Sequence, residues 1–114
     1  MSNPIKMAEQ YFKLSNQSDM DSIAAMFTDS STYSSVNTGV YLGRDQIMPM
    51  MRAFHSSFES LTWTINTIEE IRPGVAHIEF SLVSVNGQGQ VTESSGHEYV
   101  LVFDGKLQHV EVRN

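Results

Sequence analysis

The chain has 114 residues, of which 40% are hydrophobic and 18% charged, and its 13 acidic and 7 basic residues give a net charge of −6. This length and balance are typical of one globular domain with a single hydrophobic core. The Lys and Arg residues are scattered rather than clustered, which argues against nucleic acid as a partner. The lack of cysteine excludes disulfides, thiolate catalysis and cysteine-ligated zinc.

No membrane segment, cofactor or metal is predicted from the sequence. The start MSNPIKMAEQYF has one basic residue and no apolar run, so no signal peptide or membrane span is predicted and a cytoplasmic protein is expected. No phosphate-binding loop is present, since NGQGQ lies in a predicted hairpin rather than before a helix. The four histidines are too far apart in sequence for a compact ligand motif.

Three helices are predicted from apolar residues at helical spacing. The first follows Asn3-Pro4 and covers about residues 4–16, because proline suits a first helical turn. The segment NQSDMDSIAAMF restarts a helix that ends near Phe27. A third helix is predicted over about residues 44–59, and its apolar face comprises Ile47, Met51, Phe54 and Phe58.

The remaining segments are predicted to be strands. Two short strands, at about 31–36 and 40–42, flank the turn NTG. From Leu61 onward the hydrophobic period is two, and four longer strands follow at 61–71, 75–85, 91–103 and 107–113, joined by RPG, NGQGQ and DG. Because the helices come early in the chain and a meander of strands follows them, the sequence predicts an α+β fold with the helices on one face of the sheet.

Side-chain alternation assigns residues of the long strands to faces. In the first of these strands the alternation groups Leu61, Trp63, Ile65 and Thr67 on one face. In the second it groups Ala76, Ile78, Phe80 and Leu82 on one, apolar face and His77, Glu79 and Ser81 on the other. In the third it groups His97, Tyr99, Leu101 and Phe103 on one face and Glu98 on the other.

The segments SDMDSIAAMFTDSSTYSS and GVYLGRDQIMPMM resemble the opening of the nuclear transport factor 2-like superfamily, which includes the SnoaL-like and ketosteroid isomerase-like proteins. The resemblance covers nearly the whole chain, so one SnoaL-like domain over 1–114 is expected. It implies a cone-shaped, curved antiparallel (mixed) sheet wrapped around the N-terminal helices, a cystatin-like α+β barrel. It also implies a hydrophobic pocket and a homodimer through the outer face of the sheet.

The resemblance also suggests catalytic residues. Tyr11 falls where the ketosteroid isomerases carry a helix-one tyrosine, although a tyrosine in an amphipathic helix is more often a core residue. The base of that family falls near Ser34 or Ser35, and its second carboxylate has no equivalent in the expected strand, so a steroid-isomerase mechanism is not expected. SnoaL-like cyclases use a late-strand acid or base, which implies His97 with Tyr99 as the catalytic pair.

Two functions stay open at this point. In the first, the chain binds a small apolar or polyketide-like ligand and catalyses a cofactor-free proton transfer of the isomerase, cyclase or dehydratase type. In the second, it is a non-catalytic dimerisation or interaction module, with His97 at a sheet surface or interface. The first function needs a ligand site, whose expected residues are Tyr33, Ser35, Met51, His55, Phe58 and Trp63.

Overall fold

The structure, a computed structural model, describes residues 3–113, so Met1, Ser2 and Asn114 of the predicted 1–114 domain lie outside the described residues. Among the described residues, no helix is both long and apolar enough to cross a membrane. The elements in chain order are α1 (Pro4–Asn16), α2 (Met20–Ala24), β1 (Thr32–Ser35), β2 (Gly39–Leu42), α3 (Arg44–Ser56), β3 (Ser60–Arg72), β4 (Val75–Val85), β5 (Val91–Phe103) and β6 (Lys106–Arg113).

The start of α1 agrees with the predicted position of Pro4 in the first turn. Asn3 is the N-cap, and its side-chain oxygen accepts a hydrogen bond from the backbone N–H of Lys6 at 3.1 Å. Pro4 occupies the first turn, where its missing N–H has no intrahelical partner to lose. The predicted range of 4–16 for this helix is therefore that of the structure.

Helix α2 is shorter than predicted, because it ends at Ala24 rather than near Phe27. The backbone oxygen of Ala25 accepts a hydrogen bond from the Lys106 side chain at 2.9 Å. The backbone N–H of Leu107 donates to the oxygen of Met26 at 2.8 Å. Strand β6 thus satisfies two carbonyl groups just after the helix that have no partner within it.

Helix α3 also ends early, at Ser56 rather than 59. The hydroxyl of Ser57 donates to the backbone oxygens of Ala53 and Phe54 at 2.9 and 2.7 Å, so a side chain satisfies the last carbonyls of the helix. Phe58 therefore follows the helix instead of continuing its apolar face.

The strands form one six-stranded sheet in the order β2-β1-β6-β5-β4-β3. Strands β1 and β6 pair in parallel, whereas the other neighbours are antiparallel, so the sheet is mixed. Register shifts leave Asn66 and Ile71 of β3 and Gln108 of β6 without a partner in the ladder; such bulges bend strands. The predicted α+β fold with a curved mixed sheet is confirmed.

The helices cover the concave face of this sheet and make the core with it. Tyr11 of α1 contacts Phe12 and Phe27 edge to face, with ring centroids 6.0 and 6.1 Å apart. On β4 the buried residues include Ala76, Ile78 and Phe80, as the alternation predicted. On β3 the bulge after Ile65 leaves Thr67 exposed and brings Ile68 against the core, which corrects the predicted face of Thr67.

Gly43 is a position where the fold requires glycine. Its φ is +82°, and its N–H donates to the backbone oxygen of Ser31 at 2.7 Å just before α3. A Cβ at this position would lie 2.8 Å from the backbone oxygen of Asp29. The path of the chain from β2 into α3 therefore depends on the absence of a side chain at this position.

Gly43→Ala is expected to destabilise the fold by roughly 1–3 kcal/mol more than Gly89→Ala, measured by urea denaturation. Gly89 is the matched control because its φ of +78° imposes the same left-handed backbone, yet within residues 3–113 no heavy atom beyond its chain neighbours lies within 4 Å of the point that a Cβ would occupy there. Equal losses in the two variants would show that the approach to Asp29 does not constrain the fold.

Candidate functional site

A pocket of about 110 Å³ opens between α1, α3 and the concave face of the sheet. Its walls are mainly apolar and aromatic, which is typical of small-molecule sites. Asn37 and Thr38, in the turn between β1 and β2, contribute polar groups. The apolar walls include Phe12, Met50, Met51, Phe54, Trp63 and Phe80.

Most of the residues predicted for a ligand site line this pocket. They lie on α3 or on the inner face of β1 and β3, and they are Tyr33, Ser35, Met51, His55 and Trp63. Tyr11 of α1, which was predicted as a catalytic residue, lines the pocket as well. Phe58 is the exception, because it follows the end of α3 and packs against Phe54 with ring centroids 5.2 Å apart.

His97 and Tyr99 do not line the pocket, so the prediction that they face the cavity is wrong. Both lie on the outer face of β5, where the His97 side chain is exposed and Tyr99 is half-buried. The physical reason is strand alternation: the inner face of β5 carries Glu98 and Val100, which are 5% and 0% exposed.

Glu98 is the polar residue that the sequence analysis missed. It lines the pocket, and its Oε2 atom has no hydrogen-bond partner within residues 3–113. Burial raises the pKa of its carboxyl to about 8, because removing water disfavours the charged form. The expectation that no second carboxylate exists in this strand is therefore wrong, and the carboxyl is mainly protonated at neutral pH.

A signal for Glu98 was present in the sequence. The predicted hairpin loop 86–90 pairs Val85 with Val91, and that register places Glu98 directly opposite Ile78 of β4. Residues directly opposite each other in an antiparallel pair share a face. Because Ile78 was assigned to the apolar face of its strand, Glu98 belongs to the same face.

Two tyrosines accompany Glu98 in the pocket. Burial raises the pKa of the Tyr11 hydroxyl well above its ordinary value, with smaller contributions from the negative charges of Tyr33 and Glu98. Burial likewise raises the pKa of Tyr33, again with a contribution from Glu98. The three groups thus lie within electrostatic reach of one another, and both tyrosines stay protonated hydrogen-bond donors at neutral pH.

His55 supplies a basic group to the same pocket. Burial lowers the pKa of its imidazole, so the ring is mainly neutral at neutral pH. Its Nδ1 lies 2.9 Å from the Ser18 hydroxyl, and its ring packs against Trp63 with centroids 5.5 Å apart. Trp63 is fixed in turn by Asn16, whose side-chain amide exchanges two hydrogen bonds with the Trp63 backbone at 2.6 and 3.0 Å.

The serines of β1 divide between the two faces of the sheet. Ser35 lies on the inner face, is 9% exposed and accepts a hydrogen bond from the N–H of Asn37 at 3.3 Å. Ser34 alternates to the outer face, where its register partner in β6 is Glu111. The inner edge of β1 therefore offers hydroxyl groups rather than a carboxylate, as the sequence predicted.

Solved structures with the same fold come from several organisms. An uncharacterised cystatin-fold protein from Novosphingobium aromaticivorans has a TM-score of 0.85 at 13% identity, covering 100% of both chains. An LEH-like epoxide hydrolase from M. tuberculosis has a TM-score of 0.83 at 16% identity, covering 96% of this chain and 80% of that one. A protein with a ketosteroid isomerase-like fold from Catenulispora acidiphila, in complex with trimethylamine, has a TM-score of 0.84 at 13% identity, covering 100% and 87%.

Sequence comparison identifies the family. No functionally curated protein matches the chain. The family model described as SnoaL-like domain matches residues 8–110, which includes every element from within α1 to within β6. The family implied by the resemblance is thus confirmed, and the chain belongs to the SnoaL-like domain family.

Proposed function

We propose that this chain binds a small, largely apolar molecule with a hydrogen-bond-accepting oxygen and catalyses a cofactor-free proton transfer on it. The observation that carries the proposal is the buried, unpartnered carboxyl of Glu98 in an apolar pocket. Leaving such a group without a partner costs roughly 1–3 kcal/mol. A ligand oxygen that accepts the Glu98 O–H removes this cost.

The charge state of the pocket favours a neutral acceptor, such as a ketone or enone, as the ligand. Within residues 3–113, no Lys or Arg lines the pocket, so an anionic ligand would find no opposite charge. The donors are the Glu98 carboxyl and the hydroxyls of Tyr11 and Tyr33. Donors of this kind stabilise an oxygen on which negative charge develops.

The pKa values of Glu98 and His55 are shifted in opposite directions, and this difference suggests which group is the acid and which is the base. Burial raises the pKa of Glu98 to about 8 and lowers that of His55, so a protonated acid and a neutral base face one pocket. Groups whose environments separate their protonation states are natural acid and base partners. His55 accepts a proton from the carbon beside the carbonyl, and Glu98 donates a proton to the carbonyl oxygen.

The remaining steps need no other reactant. When the ligand is a β,γ-unsaturated ketone, the resulting dienol returns the oxygen proton to Glu98 while His55 delivers its proton to the γ-carbon, which gives the conjugated isomer. The same pair eliminates water when Glu98 donates its proton to a hydroxyl leaving group instead; the proton taken up by His55 then passes through solvent to Glu98 and restores both groups. Both outcomes conserve protons and electrons, which is consistent with a cofactor-free isomerase or dehydratase.

Relatives of the same fold support a small-molecule site. One is an epoxide hydrolase and another was solved in complex with trimethylamine. The names of these two proteins refer to small molecules, an epoxide and trimethylamine, rather than to polymers. We therefore expect the pocket of this chain, rather than its surface, to carry its function.

A dimerisation module is the second candidate, because His97 and Tyr99 lie on the outer face of the sheet. The homodimer through this face and the cytoplasmic location stay predictions. Light scattering of the purified protein tests the dimer. A dimer that dissociates in the Leu101→Arg variant, whose side chain is 37% exposed on this face, supports it, whereas a monomer in the wild type contradicts it.

Glu98→Gln and His55→Phe are expected to slow exchange of the ligand's C–H protons with solvent deuterium by about 10²-fold or more. Ligands come from a thermal-shift screen of ketones, enones and aromatic polyketide-like compounds, and NMR follows the exchange. Glu93→Gln is the matched control, because Glu93 is an exposed carboxylate on the same strand outside the pocket. Unchanged exchange in both pocket variants would contradict the proposal.

The Glu98→Gln variant should gain stability relative to the wild type as the pH rises. The pKa of Glu98 is about 8 in the folded chain against an ordinary 4.5. The folded state therefore binds more protons in this interval, and wild-type stability falls as the pH rises from 4.5 through 8. Glutamine does not ionise. The free energy of unfolding of the variant, measured in urea, should therefore rise relative to that of the wild type by roughly 2–4 kcal/mol between pH 5 and pH 9. A pH-independent difference would contradict a buried, uncharged Glu98.

A further inference from the structure

The outer face of the sheet brings together three side chains that can ligate a metal ion. His77 and Glu79 lie two residues apart on β4, and His97 lies opposite Glu79 on β5. One nitrogen or oxygen atom of each lies within 4.8 Å of the others. The long sequence separation between the two histidines concealed this cluster, which antiparallel pairing assembles.

The two imidazoles already meet through their nitrogen atoms. Nε2 of His77 lies 2.9 Å from Nδ1 of His97, and the rings are within 14° of parallel with centroids 5.1 Å apart. At this separation one nitrogen donates its proton to the lone pair of the other. Two nitrogen atoms are thus directed at the same small space from different strands.

The distances are close to those of a zinc site. With Zn–N bonds of ~2.0–2.1 Å, two nitrogens on a tetrahedral ion lie ~3.3 Å apart. The imidazole nitrogens therefore need to separate by only a few tenths of an ångström, with a turn of one ring. Glu79 is exposed, so its carboxylate is free to rotate toward the same point.

The neighbouring charges leave this carboxylate available. Arg113 is the register partner of His97 on β6, but its guanidinium donates to Glu111 rather than to Glu79. Within residues 3–113, Glu79 has no side-chain hydrogen bond or ion pair. Tyr99 completes the surroundings, since its ring centroid lies 4.9 Å from that of His77.

We propose that His77, Glu79 and His97 form a binding site for a zinc-type divalent transition-metal ion on the outer face of the sheet. Two imidazoles and one carboxylate are ligands that Zn²⁺ accepts, whereas Mg²⁺ prefers oxygen ligands and keeps its waters. Water fills the fourth position. The site is separate from the pocket, because Glu98 and its neighbours lie on the opposite face of β5.

Isothermal titration of untagged protein with ZnCl₂ tests the site, with MgCl₂ as the control ion. The wild type is expected to bind one Zn²⁺ per chain, and the His97→Ala and Glu79→Gln variants are expected to bind it at least about tenfold more weakly. His109→Ala is the matched control: His109 lies on the same face but bonds to Thr32 and Glu111, so its loss should leave the affinity unchanged.

Histidine side-chain NMR provides a second readout that loss of folding cannot imitate. On adding Zn²⁺, the ring nitrogens of His77 and His97 should shift together, while those of His55 and His109 stay in place. No heat on titration, equal affinity in the His97→Ala variant, or a loss of affinity in His109→Ala equal to that in His97→Ala would overturn the proposal.

Discussion

The fold buries the carboxyl of Glu98 on the concave face of the sheet, and the charge and polarity of the pocket depend on that constraint. Strand alternation fixes the side chain on the concave face between Gly96 and Val100. Transfer of a charged carboxylate into an apolar site is unfavourable unless a cation accompanies it. Since no Lys or Arg of residues 3–113 lines the pocket, the carboxyl retains its proton, and the site stays neutral and rich in donors.

The surrounding residues are consistent with this uncharged acid. Tyr11 and Tyr33 are hydrogen-bond donors that stay protonated, and burial keeps His55 neutral. Helix α1 contributes Tyr11 and also fixes Trp63 through Asn16, so one helix sets two walls of the pocket. A preorganised arrangement of donors is what the proposed proton transfer requires of the pocket.

Much of the architecture could be predicted from the sequence. Apolar spacing located α1 and the four long strands, and the candidate site residues Tyr11, Tyr33 and His55 line the pocket. The end of α2 was not predictable, because Lys106 and Leu107 of β6, which are distant in sequence, bond to the carbonyl groups that follow this helix. The end of α3 depends instead on a local contact, the Ser57 hydroxyl with the Ala53 and Phe54 carbonyls, which apolar spacing does not reveal.

The faces of β5 show why the candidate site was only partly predicted. The segment HEYVLVF carries apolar residues in both phases, with Leu101 and Phe103 in one and Val100 and Val102 in the other. Alternation within this strand alone therefore does not say which phase is buried. Pairing with β4 decides it, and the same pairing assembles His77 and His97, which no single segment could reveal.

The protonation state of Glu98 is the central claim, and its side-chain ¹³C carboxyl shift measures it directly. In selectively labelled protein, with Glu98→Gln identifying the resonance, the shift should titrate with a midpoint near pH 8, as the pKa of about 8 requires. A midpoint close to the ordinary value of 4.5 would show that Glu98 is an ionised, solvated carboxylate and would contradict the account.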